Sequence, residues 1–475
     1  MSKIHGMMDV GKRSMMNSQT ALQTTGHNIA NKSTEGYSRQ RVELQAAEPT
    51  GLGNQRVGNG SKTAAITRTN NPYLEKQIGK EESNLGYFQG KSDAMNRVEQ
   101  VYNEQTNKGL NTFVTDFFNS VRELSNNPES LATRTQVKET AEFLTKDFKR
   151  VNTQLQEIRK DIDQQISTHV DQVNQMTSEI AELNGKIQLV QNAGGPANDE
   201  RDRRDLLIKK LGEKVNIRWA EGNDGSVTVT AGNSALLVAG DDAKKLSVQA
   251  TPESEHKGEG SFDVFYQSAK DGQLTKVTDQ LTGGSIGGLL EVRDKNIGGL
   301  IEGVDKMAYS LATDINTIHS RGYDGHGRLA EDFFQAPQEI RHAAENLKVS
   351  ERISRDPMKI ATAGVPGSPG DNRVANAISQ LQYENTMPDS ASTMDEYYNS
   401  MVGEVGIQSR KAQAGQESQK GIVENLKNIR ESVSGVSLDE ETTKLIEFQK
   451  AFDASARLIK TADEMFDTVL NLKRL

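Results

Sequence analysis

The chain has no cysteine, a single tryptophan and only ten prolines in 475 residues. Without cysteine there are no disulfides, no thiolate metal sites and no cysteine nucleophile. Aromatic residues make up 5% and hydrophobic residues 34%. That is lean for one large globular core and suits long helices with a small sheet region. No apolar run reaches the ~18 residues that a membrane-crossing helix needs, so no membrane partner is expected. Net charge is -9 with lysine and arginine scattered throughout, and no basic face invites nucleic acid or anionic lipid. The start, MSKIHGMMDVGKRSMM, lacks both a continuous apolar segment and a small-residue cleavage site. If the protein leaves the cell, it is expected to do so without a cleaved signal peptide.

Signals for chemistry are equally thin. Gly6 to Arg13 has the Gly-Lys spacing of a phosphate loop, but Arg13 stands where a metal-binding Ser or Thr belongs, and no strand precedes it. Gly283 to Gly288 fails the dinucleotide spacing and reads as a hinge. The run Asp199 to Asp205 interleaves arginines with carboxylates, which reads as a solvated helix start and not a metal site. His319 and His326 flank a loop with no third ligand nearby in sequence, and are expected at the surface. There is no G-x-S-x-G elbow. No catalytic residue, metal or cofactor is assigned, and an enzyme is not expected.

What is present is periodicity. Ile4, Met8, Met15, Leu22 and Ile29 lie on one line, the last four spaced by seven, the repeat of a helix that lies against another helix. Its alternate positions, Gly11, Ser18 and Thr25, are small or polar, so the seam is narrow and the helix needs a partner. The stripe stops at Asn28-Ile-Ala-Asn31. Asn31 and Gly36 suit the left-handed backbone of a helix exit and a turn, just before Tyr37. At the other end Leu445, Phe448, Phe452, Ser455, Ile459, Ala462, Phe466 and Val469 follow steps of three and four. That ladder is a coiled-coil seam and a candidate partner for the first helix.

The middle of the chain alternates between the two periods. Glu48 to Gly60 reads as a linker, Thr63 to Thr69 as a strand, and Asn71-Pro72 as the start of a long helix broken near Asn126 to Glu129. From Phe148 to Val190 twelve apolar steps cover 42 residues, a mean of 3.5. As one helix this stretch would be about 63 Å long. Residues 220 to 284 read as about five short strands, and helical patterning resumes from Gly287. Gly403, Gly406, Gly415 and Gly421 weaken a later helix by ~1 kcal/mol each relative to alanine. The expected fold is mainly α, with long terminal and central helices forming coiled-coil-like rods and a small inserted antiparallel β domain. The expected units are paired terminal helices (1-50 and 436-475), a helical rod (51-199 and 289-435) and an inserted, mainly β outer domain (200-288).

Four stretches carry a family resemblance: NIANKSTEGYSRQ (Asn28 to Gln40), NDERDRRDLLIKKLGEKVNI (Asn198 to Ile217), GGLLEVRDKN with NTIHSRGYDGHGRLAEDFF (Gly287 to Asn296 and Asn316 to Phe334), and the segment Gly435 to Leu472. In this order they resemble the flagellar axial proteins, and among them the hook-associated proteins of the hook-filament junction. The resemblance implies a structural subunit of the bacterial flagellum, outside the cell, delivered by the flagellar type III export apparatus. Implied partners are other copies of the chain in a ring or tubular lattice, hook protein, other hook-associated proteins or flagellin, and a cytoplasmic export chaperone. The alternative is another axial subunit: hook, distal rod or filament protein. On this reading Met8, Met15, Leu22, Ile29, Asn28, Asn31, Gly36 and Tyr37 form the assembly interface with Leu445, Phe448, Phe452, Ile459, Phe466 and Val469.

Overall fold

The computed structural model describes residues 2–49, 58–102, 109–251, 261–267, 274–387 and 391–472. The chain begins with helix α1 (Ser2–Ala30), followed by a two-stranded antiparallel hairpin, β1 (Gln40–Ala46) and β2 (Ser61–Arg68). The hairpin lies along α1, where the Asn17 amide bonds the Ser61 carbonyl at 2.9 Å and accepts from the Thr63 N–H at 3.0 Å. It therefore belongs with the terminal helices. The expected unit boundary at residue 50 falls inside this hairpin, because the alternation of Gln40–Ala46 is too short to separate from loop in the sequence.

Helix α2 (Pro72–Val101) starts as proline and its neighbour dictate: Asn71 caps the Tyr73 and Leu74 N–H groups and Pro72 takes the first turn. Then come α3 (Leu110–Asn126), α4 (Leu131–Asn192) and α5 (Asn198–Lys214). The 62 residues of α4 make a spine of about 93 Å. Leu155, Ile162, Ile166, Val173, Ile180 and Ile187 on its 3.5-residue stripe are all fully buried. Its partners change along its length, with α3 beside the first half and α5 beside the last.

Between residues 217 and 276 seven strands form two antiparallel sheets among the described residues. One contains β3 (Ile217–Glu221), β4 (Val227–Ala231), β5 (Ala235–Ala239) and β6 (Asp242–Ala243). The other contains β7 (Leu246–Ala250), β8 (Phe262–Gln267) and β9 (Leu274–Lys276). Polar groups on the spine hold them. Asn184 accepts from the Val227 N–H and donates to the Val227 and Gly240 carbonyls, while Asn174 bonds both backbone groups of Leu246. Asp163 pairs at 2.6 Å with the fully buried Arg293, which also donates to the Phe262 carbonyl. The strands start at residue 217, close to the expected 220, while residues 200 to 214 of the expected inserted unit belong to helix α5. It lies along the carboxyl half of α4, the half next to the terminal helices.

A continuous helical run follows: α6 (Gly284–Glu291), a π turn (Val292–Ile297) and α7 (Gly298–His319). The glycines at its start are not a hinge; a side chain on Gly288 would collide with the Tyr87 carbonyl of α2. The far half of the rod is covered by short elements: β10 (Phe334–Gln335), α8 (Ala343–Asn346), β11 (Lys348–Val349), α9 (Glu351–Arg355) and α10 (Arg373–Gln380). His319 is fully buried there, against expectation. Its Nδ1 meets the Glu331 carbonyl at 2.6 Å and its Nε2 accepts from the Ala361 N–H at 2.8 Å, so neutral imidazole joins two loops. The chain returns through α11 (Met394–Ser434), which stays unbroken through its glycines, and closes with α12 (Leu438–Leu472). A reciprocal Thr393 and Glu396 capping box starts α11. Among the described residues no helix is long and apolar enough to cross a membrane.

Candidate functional site

Three of the stretches singled out in the sequence converge where α1 ends. Asn28 is 1% exposed, and its amide is fully used. Its nitrogen donates to the Gln40 carbonyl and to Glu441 of α12, each at 2.9 Å. Its oxygen accepts from the Tyr37 hydroxyl at 2.8 Å and the Gln40 N–H at 2.9 Å. One side chain thus ties helix α1, the following turn, strand β1 and helix α12. The Tyr37 hydroxyl, having donated to Asn28, accepts from His27 Nδ1 at 3.1 Å. Burial pushes this phenol above its ordinary pKa, and the carboxylates of Asp199, Asp202 and Glu441 push the same way. It therefore stays a donor.

The turn itself needs Gly36, which has φ +83° and lies against Leu206 of α5. Asn31 does not adopt the left-handed backbone expected of it, since His342 is the only non-glycine residue with positive φ among those described. Its N–H and side-chain amide instead both reach back to the His27 carbonyl, satisfying a helix end without a left-handed residue.

Charged pairs clamp the joint from three sides. Arg39 bonds Glu441 through Nε at 2.8 Å and reaches Glu440 at 2.7 Å. Burial alone would lower the Arg39 guanidinium, but these carboxylates outweigh it and hold it above its usual value. On the second side Asp202 of α5 accepts from the Ser38 N–H at 2.8 Å and pairs with Arg68 at 2.7 Å, while Asp205 holds Arg68 at 3.0 Å. Burial raises the Asp202 carboxyl against the pull of Arg68. On the third side Arg430 of α11 donates to the Gly36 and Tyr37 carbonyls at 3.1 Å and pairs with Glu75, which also holds Lys209. The run from Asp199 to Asp205 is therefore partly a buried lock: Asp202 is 6% and Arg204 1% exposed. Among the described residues no group of three or more His, Asp or Glu could hold a metal ion.

Beyond the joint α1 and α12 run antiparallel. Asn28 meets Glu441, the Ser14 and Ser455 hydroxyls lie 2.7 Å apart, and the His5 and Phe466 rings are 5.4 Å apart. The buried line on α1 is not the methionine line. Gly11, Ser18, Ala21, Thr25 and Asn28 are buried, with Ser455 and Ala462 buried opposite. A Cβ on Gly11 would sit 2.7 Å from Ile459 Cγ1, so the two helices approach as closely as small residues permit. The large residues flank this line. Met8, Met15, Leu22, Ile29, Leu445, Phe448, Phe452, Ile459 and Phe466 are half-buried, and Val469 is exposed. In the sequence Gly11, Ser18 and Thr25 read only as what makes the large-residue seam narrow. The steps of three and four among the buried positions were the available signal.

A family model described as the helical domain of flagellar hook-associated protein FlgK matches residues 95–334. The chain belongs to the FlgK family. A second model, for the carboxyl-terminal part of the flagellar basal-body rod proteins FlgEFG, matches residues 431–472. Relatives named flagellar hook-associated protein 1 include one from Bacillus subtilis, 26% identical over 98% of this chain and 97% of its own. One from Escherichia coli is 24% identical over 96% of this chain and 97% of its own. The solved structure of the hook junction protein FlgK from Burkholderia pseudomallei superposes with a TM-score of 0.68 at 16% identity, covering 75% of this chain and all of that one. At that identity the likeness speaks for the fold, a mainly helical FlgK architecture with small antiparallel sheets. The FlgK family is the hook-associated branch to which the sequence stretches pointed.

Proposed function

We propose that this chain is a structural subunit joining the flagellar hook to the filament, outside the cell, and that its terminal helices are the part that polymerises. One observation carries the reading. The α1 and α12 pair buries its small residues within the chain and leaves its large apolar flanks half in water, so the pair is complete only when further helices cover it. Copies of the same chain supply that cover around a ring or tube. Hook protein lies on one side, other hook-associated proteins or flagellin on the other. The rod and the charged joint fix the angle at which each pair enters the lattice.

The action is mechanical, with no catalytic step. Before assembly the chain travels without a cleaved signal through the export apparatus, held by a cytoplasmic chaperone. The match of residues 431–472 to a rod-protein model is what a hook or distal-rod subunit would share, and that is the competing reading. Immunogold labelling of isolated flagella separates the two: one narrow band at the filament end of the hook is expected. Label along the hook, the rod or the filament would overturn the junction role.

A further inference from the structure

All the divalent sulfur in this chain is thioether, with thirteen methionines and no cysteine. Five of the thirteen fall in the first sixteen residues, at positions 1, 7, 8, 15 and 16. In the rod Met95 is 0%, Met307 1%, and Met387 and Met394 3% exposed, while Met176, Met358 and Met401 are half-buried. The exposed methionines among the described residues are Met7 at 37%, Met16 at 56% and Met465 at 47%, all on the terminal pair. Met465 adjoins Phe466, whose ring meets His5, so Met465 and Met7 share one end of the pair. Accessible oxidisable sulfur is therefore concentrated on the two terminal helices, on more than one face of the pair that packs when subunits assemble.

We infer that Met7, Met16 and Met465 form a modification site for two-electron oxidants of the peroxide class, and that their sulfoxidation blocks assembly. This rests on the assembly role proposed above. Each thioether sulfur takes one oxygen atom from hydrogen peroxide. The O–O bond breaks, an S–O bond forms, sulfur loses two electrons, and the peroxide leaves as water. The product carries a strong hydrogen-bond acceptor on a side chain that had been apolar and pliant. A neighbouring helix face would have to desolvate that oxygen without offering a donor. Assembly in turn hides the sulfurs, so the site is open only in the free chain.

The test uses the purified full chain, hydrogen peroxide, and sedimentation onto isolated hooks, with sulfoxide at each methionine followed by peptide mass spectrometry. Met7, Met16 and Met465 should oxidise on the order of tenfold faster than Met95 and Met307, as accessibility dictates. Hook binding should fall by a similar factor, and methionine sulfoxide reductases should restore it. In the M7L/M16L/M465L variant the ratio of treated to untreated binding should rise to near one, whatever its untreated level. Sulfoxide at all three positions with undiminished hook binding overturns the inference, as does equal oxidation of Met95. Failure of the untreated wild-type chain to bind hooks would instead bring down the junction role, and this inference with it.

Discussion

Along α4, Leu155, Ile162, Ile166 and Val173 have no exposed surface, whereas Phe448, Phe452, Ile459 and Phe466 of α12 keep part of theirs in water. Both sets follow steps of three and four. The rod stripe meets α3, α5, α7 and the sheets of its own chain, so one polypeptide completes it. The terminal stripe meets one helix whose central positions are glycine, serine, alanine and threonine, which cannot cover aromatic side chains. Heptad spacing therefore tells that a helix has a partner, but not whether the partner is in the same molecule. On the proposed reading the size of the opposing residues makes that distinction.

The sharpest way to break this contrast is to remove aromatic side chains from each seam in turn. Phe148 is fully buried in the rod, and Phe148→Ala should cost ~3 to 5 kcal/mol in denaturant unfolding of the monomer. Phe452→Ala with Phe466→Ala should leave that unfolding unchanged while filaments are shed from hooks into the medium. Export has to be measured alongside, since a chaperone holding the same face would also respond. A double variant that unfolds like Phe148→Ala would show the two seams to be one cooperative unit.

Acid offers a second separation, because His319 belongs to the far half of the rod and not to the joint. Burial, with a smaller push from Arg134, lowers its pKa to about 3. Between pH 6.5 and about 3 the unfolded chain binds a proton at this site that the folded chain does not, so stability falls as pH falls through that window. By pH 5 the loss is about 2 kcal/mol, and it fades to nothing about a unit above pH 6.5. His319→Gln keeps a donor and an acceptor but cannot titrate, and its unfolding should lose that part of the pH slope. Equal slopes in the two proteins would remove His319 as the cause.

At the joint the expected effect is local. Asn28→Ala leaves the Tyr37 hydroxyl, the Gln40 backbone and Glu441 without their shared partner, at a cost of ~1 to 3 kcal/mol for buried groups. Amide exchange should quicken over residues 28 to 46 and at the start of α12, with exchange in α4 unaltered. Faster exchange throughout the rod would mean that the joint stabilises the whole molecule and not only the angle of its ends.

The rod was legible in the sequence because large apolar residues at a mean step of 3.5, kept up over 42 residues, fit a helix with one buried face and little else. The terminal ladders were legible for the same reason. What could not be read was which line sits at the centre, since Gly11, Ser18 and Ala21 pack by letting backbones approach and leave no mark in a hydrophobic pattern. Asp202 looked like part of a solvated helix start because its partners are remote, Ser38 lying 164 residues away and Arg68 134, and Arg204 because its partners Asn184, Glu221 and Gly225 sit in other elements. His319 looked like a surface residue for the same reason, its second partner, Ala361, being in another loop. Asn31 departs from its expected backbone because an amide that bonds back to its own helix serves a helix end as well as a left-handed residue does. Residue type and spacing report local periodicity well and the destination of a charge poorly.

The smallest effects discriminate the packing of the terminal pair most finely, because three glycines share helix α1 in different surroundings. At Gly6 and Gly26 an added Cβ meets nothing within 4 Å, whereas at Gly11 it meets Ile459 at 2.7 Å. Alanine favours the helix over glycine by ~1 kcal/mol. Gly26→Ala should therefore slow protease cutting of α1 slightly. Gly11→Ala gains the same propensity but forces Ile459 aside, and overpacking of this kind costs ~1 to 3 kcal/mol. In an isolated peptide of residues 2 to 30 both substitutions should raise helicity equally, since α12 is absent. In the full chain they should part, with α12 more open to protease in Gly11→Ala and unchanged in Gly26→Ala. If both variants protect the terminal pair alike, Ile459 yields without cost, and the close approach of the two helices is incidental to their pairing.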